Sequence, residues 1–247
     1  MQSNSVIHRV LDILLLFEDG REKLSIDEIA QALDLPKSTT YRLVKELQER
    51  GFIDKTHNDF QLGLNFLRLS RLALNNNRDL RLMALPSMQR IAGAIHESVS
   101  LMRLINRRIV CIESIEGQYA LRVSIEQGRI QPLHAGASSR VLLATLPEGE
   151  WENYLEFPLE GFTATTITDF DQLRDNLRQV RRDGYAVSKG EIDVGACALA
   201  VPLISHRKEV LAALSIEAPL TRMGDGDITQ YLNLLREEAQ RFQAEQL

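Results

Sequence analysis

The residues best equipped for chemistry lie together at Lys37-Ser38-Thr39-Thr40-Tyr41-Arg42, with Lys45 one turn further on. Ammonium, hydroxyl and guanidinium groups donate hydrogen bonds to phosphate oxygens and base edges. No carboxylate interrupts them between Lys37 and Lys45. Leu43, Val44 and Leu47 recur at helical spacing, so the stretch reads as a helix with one buried face. The other face carries Lys37, Ser38, Thr39, Thr40, Arg42 and Lys45. Pro36, with its φ fixed, suits the start of such a helix. A DNA major groove admits a helix of this kind; the plain alternative is a solvated helix in a small bundle.

A second stretch, Pro132-Leu133-His134-Ala135-Gly136-Ala137-Ser138-Ser139-Arg140, mixes small residues with His134 and two serines. With a distant acid these could be drawn as a hydrolase triad. No Gly-x-Ser-x-Gly elbow surrounds either serine, so the protein is not expected to be an enzyme. The histidines are scattered, and neither Cys111 nor Cys197 has a ligand at metal spacing, so no metal or cofactor is expected. Arg103, Arg122 and Arg140 are candidate partners for a carboxylate ligand. Glu191 could contact a ligand or brace a sheet.

The elements that would position these groups follow in order. Val6, Ile7, Val10, Leu11, Leu14 and Phe17 fit one face of a first helix, capped by Ser3, Asn4 or Ser5 and closed at Asp19-Gly20. A capping box, Ser25-Ile26-Asp27-Glu28, opens a second helix. The Pro36 turn and the third helix follow, ending at Gly51, and 52–62 reads as a hairpin with a polar tip at Lys55-Thr56-His57-Asn58-Asp59. Three helices and a hairpin make a winged helix-turn-helix. Leu64 to about Leu74 returns to helical spacing, Asn75-Asn76-Asn77 breaks it, and another helix starts at Asp79.

From Ser98 the pattern becomes strand-like. Ser98–Ile105, Ile109–Ile115 and Tyr119–Ile125 read as an antiparallel meander. The small-residue stretch is read as a loop leading into an apolar helix, Val141–Leu146. Helices at 148–156 and 171–182, a strand from Gly184 to Ser188, a hairpin of 198–204 with 210–217, and a last helix from Asp227 to Phe242 complete the chain. This half reads as α+β.

Hydrophobic and charged fractions of 44% and 26% are those of a globular protein long enough for two domains. No signal peptide or membrane-spanning run is apparent and there are only two cysteines, so a cytoplasmic protein with reduced thiols is expected. A net charge of −5 argues against general nucleic-acid affinity, so any DNA contact must come from local patches.

The residues Leu35-Pro36-Lys37-Ser38-Thr39-Thr40-Tyr41-Arg42-Leu43, Gly51-Phe52-Ile53 and Leu62-Gly63-Leu64 resemble the IclR family of bacterial transcriptional regulators. So do Pro132-Leu133-His134-Ala135, Leu142-Leu143-Ala144, Thr166-Ile167-Thr168, and the signature region from Gly184 through Gly195 to Pro202. The resemblance implies a winged helix-turn-helix DNA-binding domain over 1–65, a linker helix over 66–78, and a GAF-like effector-binding and oligomerisation domain over 79–247. It implies homodimers or homotetramers on double-stranded DNA carrying a palindromic operator. It also implies a small-molecule effector, an organic acid such as a sugar acid or aromatic acid. The expected function is a ligand-responsive regulator, a repressor of a catabolic operon, with no membrane association. The alternative is a sensor whose winged helix contacts protein.

By that analogy Lys37, Ser38, Thr39, Thr40 and Arg42 contact DNA, and His57 and Asn58 belong to the wing. Ala137, Ser138, Ser188, Ala198, Ser215 and Glu217 would line the effector pocket. The chain departs from the family pattern here. Ala137-Ser138-Ser139-Arg140 replaces a glycine- and lysine-bearing loop, Ser188 a frequent aspartate, and Ala198 a frequent cysteine, which stands instead at 197. Glu217 occupies a position often held by a small residue.

Overall fold

A computed structural model describes residues 5–17, 21–75 and 78–245. Ser3 and Asn4 as caps, and the stops at Asp19-Gly20 and Asn76-Asn77, lie outside the described residues. The chain divides into two units, residues 1–76 and 77–247.

In the first unit the N-cap of α1 (Val6–Leu15) is Ser5, whose hydroxyl accepts from the Ile7 N–H at 3.2 Å. A two-residue strand, β1 (Leu24–Ser25), was not foreseen from the sequence. The expected capping box then starts α2 (Ile26–Ala32): Ser25 Oγ accepts from the Glu28 N–H, and the Ser25 N–H donates to Glu28 Oε2 at 2.7 Å. After Pro36 comes α3 (Lys37–Glu49). Gly51 ends it at φ +70°, where the Gly51 and Phe52 N–H groups donate to the Gln48 and Leu47 carbonyls, each at 2.9 Å. This paired closure needs a left-handed residue, which glycine supplies without strain. β2 (Ile53–Thr56) and β3 (Asp59–Leu62) form the wing, and β1 adds to the far side of β3. Ile13, Ile29, Val44 and Ile53 are completely or almost completely buried in the core they share. α4 (Asn65–Asn75) closes the unit.

The second unit begins with α5 (Arg78–Ile95), β4 (Ser98–Ile105), β5 (Arg108–Ile115), β6 (Ile130–Gln131) and α6 (Ala137–Thr145). A 3₁₀ turn at 148–150 leads to α7 (Trp151–Tyr154). Then come α8 (Phe170–Asp183), β7 (Ala186–Lys189), β8 (Ala196–Ile204), β9 (Val210–Pro219) and α9 (Asp225–Ala244). The six strands form one antiparallel sheet, β6-β5-β4-β9-β8-β7. Because successive side chains alternate between faces, β9 sends Leu214 and Ile216 toward α5 and α9, and Ala213 toward α6 and α8. The architecture is α+β, as expected.

Three expectations are corrected. Tyr119–Ile125 is not a strand. The Gly117 N–H donates to Ser98 Oγ at 3.0 Å and the Gln118 N–H to the His96 carbonyl at 2.9 Å, turning the chain back over the start of β4. The free edge of β5 is taken instead by residues 128–131, with the Gly128 N–H on the Cys111 carbonyl at 2.8 Å. Second, Ala137–Arg140 is not loop but the first turn of α6, which is buried from Ala137 to Ala144. Third, the helix expected over 148–156 shortens to the 3₁₀ turn and α7.

Candidate functional site

On α3, Leu43, Val44 and Leu47 face the core while Lys37, Ser38, Tyr41, Arg42 and Lys45 are exposed and Thr39 is half-buried. Thr40 is a correction. Its exposure is 0%, and its hydroxyl donates to the Pro36 carbonyl at 3.3 Å, so it cannot reach DNA. The spacing held the clue, since Thr40 precedes Leu43, Val44 and Leu47 by three, four and seven residues, on one helical face. Tyr41, beside Arg42, is 56% exposed on the same helix. Lys37 bridges to Asp27 at 2.8 Å, a surface pair worth little and easily exchanged for a phosphate. His57 and Asn58 form the exposed two-residue tip of the wing, His57 at φ +59°.

In the second unit, the first turn of α6, the ends of β7, β8 and β9, and the segment 123–132 enclose a cavity of about 260 Å³. Its wall includes Ala137, Ser138, Ser188, Ala198 and Glu217, five of the six residues expected there. Ser215 stands behind the wall. Its hydroxyl donates to Glu217 Oε1 at 2.5 Å, and Ser100 Oγ donates to the same oxygen at 2.7 Å. Glu217 Oε2 has no hydrogen-bond partner among the described residues. Burial pushes the Glu217 carboxyl up to about 7, against the opposing pull of the two serine hydrogen bonds. Ser100 was missed, although alternation between Val99 and Leu101 sets it on the face opposite theirs. The 123–132 wall, including Arg129 and Gln131, was missed because it was read as strand and loop.

Gly136 precedes α6 at φ +90°, and a Cβ there would meet Ile192 Cδ1 at 2.9 Å. No side chain caps this helix. The first-turn N–H groups of a helix have no intrahelical acceptor, and the helix dipole makes this end positive. Ala137 and Ser138 bring these N–H groups to the cavity wall, where a carboxylate would fit.

Arg140 is not a free anion receptor. Buried, it donates to Glu191 Oε1 at 2.6 Å, to the Val187 carbonyl at 2.5 Å and to Asn176 Oδ1 at 2.8 Å. Glu191 Oε2 in turn accepts from the Gly136 N–H at 3.2 Å. Desolvation pushes the Arg140 pKa down and Glu191 pulls it back up. The pair therefore ties α6 to the β7–β8 connection, which gives Glu191 a bracing role on the cavity wall. Arg122 pairs with Glu116 at 2.6 Å on the surface, and Arg103 does not line the cavity. His134 turns to the Glu160 carbonyl at 2.8 Å and stacks on Phe162, so it forms no triad with the serines. The Cys197 thiol on the wall is pushed by burial up to about 11, which keeps it neutral. Among the described residues there is no helix long and apolar enough to cross a membrane and no metal-binding cluster.

Comparison with known proteins bears on both units. The IclR helix-turn-helix domain model matches residues 6–57, and the model of the bacterial transcriptional regulator IclR C-terminal domain matches residues 73–244. The chain belongs to the IclR family. Among relatives of this IclR-type chain, the HTH-type transcriptional regulator XynR of Escherichia coli K12 is 31% identical, over 94% of this chain and 92% of its own. The HTH-type transcriptional repressor AllR of the same organism is 32% identical, over 94% and 87%. An IclR homologue from Microbacterium hydrocarbonoxydans, solved with 4-hydroxybenzoate, superposes with a TM-score of 0.78 at 30% identity, covering 98% of this chain and 99% of that one. The Thermotoga maritima IclR structure gives 0.75 at 25% identity, covering 97% and 98%. This IclR-family chain is thus a transcriptional regulator with a DNA-binding helix-turn-helix and a ligand-binding C-terminal domain.

Proposed function

We propose that this regulator is a repressor of a catabolic operon. Two or four copies hold a palindromic operator, and a small organic acid in the cavity sets their grip on it. The exposed face of α3, with Lys37, Ser38, Tyr41, Arg42 and Lys45 beside the wing tip at His57 and Asn58, carries the reading. Tyr41 joins the expected contact residues and Thr40 leaves them. Self-association is supported by apolar side chains left exposed on α1 (Val6, Ile7, Leu11) and α4 (Leu67, Leu69, Leu72). A symmetric pair matches a symmetric operator. The name of the repressor AllR supports repression, and the 4-hydroxybenzoate bound by the Microbacterium homologue supports an organic acid as effector. Regulation requires that the acid bind the DNA-competent and incompetent arrangements with different affinity.

The test is binding to DNA fragments from around the protein's own gene, across a salt series and with sugar acids and aromatic acids. Specific, steeply salt-dependent binding that one acid alters is the expected result. Arg42→Ala should weaken specific binding about 10- to 100-fold while the fold persists. Full specific affinity in that variant would remove Arg42 from the contact. Absence of specific binding to any fragment would favour protein contacts for the winged helix.

A further inference from the structure

We propose that the cavity selects hydroxylated carboxylic acids, with the free oxygen of Glu217 accepting a hydrogen bond from a hydroxyl of the ligand. This rests on the effector reading above and names the chemistry of that site.

Glu217 sits on β9 with its backbone paired to Ala198 on β8 and Ser98 on β4, and its side chain lies on the cavity wall. One carboxyl oxygen is satisfied twice, by Ser100 and Ser215. The other has no donor among the described residues, although the residue is only 2% exposed. Among the described residues no cation pairs with it. Arg140, buried behind the wall, is committed to Glu191, and the arginine on the wall itself, Arg129, is exposed and forms no ion pair with Glu217 among the described residues. A half-satisfied buried carboxyl is costly, and folding does not require this one. Without it, Ser100 Oγ could donate to Ser215 Oγ at 2.8 Å and Ser215 Oγ to the Ser100 carbonyl at 3.4 Å. Ala198, its small neighbour on β8, lies on the same cavity wall. What that oxygen lacks is a donor, and in this cavity a ligand hydroxyl can supply it.

The rest of the wall fixes the other end of the ligand. The first-turn N–H groups of Ala137 and Ser138 at the positive end of α6 suit a carboxylate. The Ser138 and Ser188 hydroxyls, also on the wall, make no hydrogen bond among the described residues and can serve further polar groups. The acid group suits α6, where the nearby carboxylate of Glu191 is paired with Arg140, and the hydroxyl suits Glu217.

The test is calorimetric titration of the full-length protein with matched pairs of acids. Each straight-chain aldonic acid of three to six carbons is paired with the alkanoic acid of equal length, and 4-hydroxybenzoate with benzoate. At least one hydroxylated member should bind, about 10- to 100-fold more tightly than its partner. Glu217→Met, which keeps the bulk and removes the acceptor, should abolish that preference and leave alkanoate affinity unchanged or higher. Equal affinity within the pairs of the native protein overturns the proposal, whether or not the variant folds. So does a preference that survives in Glu217→Met, or failure of every hydroxylated acid to bind. Specific DNA binding by the same preparation, measured separately, tells failure of this proposal from failure of the regulator reading.

Discussion

Replacing Glu217 by glutamine should stabilise the second unit, and do so more as pH rises. Glutamine keeps the shape and the acceptor for Ser100 and Ser215 but cannot ionise. In the native chain, burial holds the folded Glu217 carboxyl at about 7, against 4.5 for the unfolded group. Below about 4.5 both states are protonated and ionisation costs nothing. Between 4.5 and about 7 the unfolded chain loses its proton first, so native stability falls as pH rises. Above about 7 the full cost applies, roughly 3 kcal/mol at about 1.4 kcal/mol per tenfold gap. The Glu217→Gln advantage over the native chain should therefore grow by roughly 2–3 kcal/mol between pH 5 and pH 8. Urea unfolding followed by tryptophan fluorescence measures it. Trp151 is the sole tryptophan and is completely buried in the core beneath α6 and α8, so its signal reports the second unit. A stability difference equal at both pH values would refute the reasoning, because only ionisation makes it pH-dependent.

Other substitutions probe the supports of each unit. A Cβ at Gly63 would meet the Gly51 carbonyl oxygen at 2.4 Å, and the Gly63 N–H is tied to the Phe52 carbonyl at 2.8 Å, so neither backbone can yield. Gly63→Ala should destabilise the wing by about 1–3 kcal/mol, read as faster hydrogen exchange at β2 and β3 amides. Arg140→Met strands Glu191 as an unpaired buried carboxylate and should cost about 3–5 kcal/mol in the same urea assay. The double variant Arg140→Met, Glu191→Leu should regain most of that loss, since no lone charge remains.

The parts of this protein readable in the chain were those set by near neighbours in sequence. Ser25 and Glu28 stand three apart and cap α2 reciprocally, and Gly51 ends α3 in the left-handed conformation that glycine adopts without strain. The spacing of Leu43, Val44 and Leu47 sets the buried face of α3, and two apolar runs flanking a polar turn outline β8 and β9. Each of these rests on a local hydrogen bond or a period of the backbone, which short stretches of sequence carry in full. Distant pairing was not readable in this way. Nothing near Tyr119 signals that Ser98 and His96 will capture the preceding turn, or that residues 128–131 will take the edge of β5. Leu24 and Ser25 become a strand only because β3 lies beside them. Arg140 meets Glu191 across 51 positions, and Ser100 reaches Glu217 across 117. The unpartnered oxygen of Glu217 emerges only when three strands and α6 close around it. Burial and hydrogen-bond satisfaction belong to the packed chain, because they depend on which remote groups share a given space.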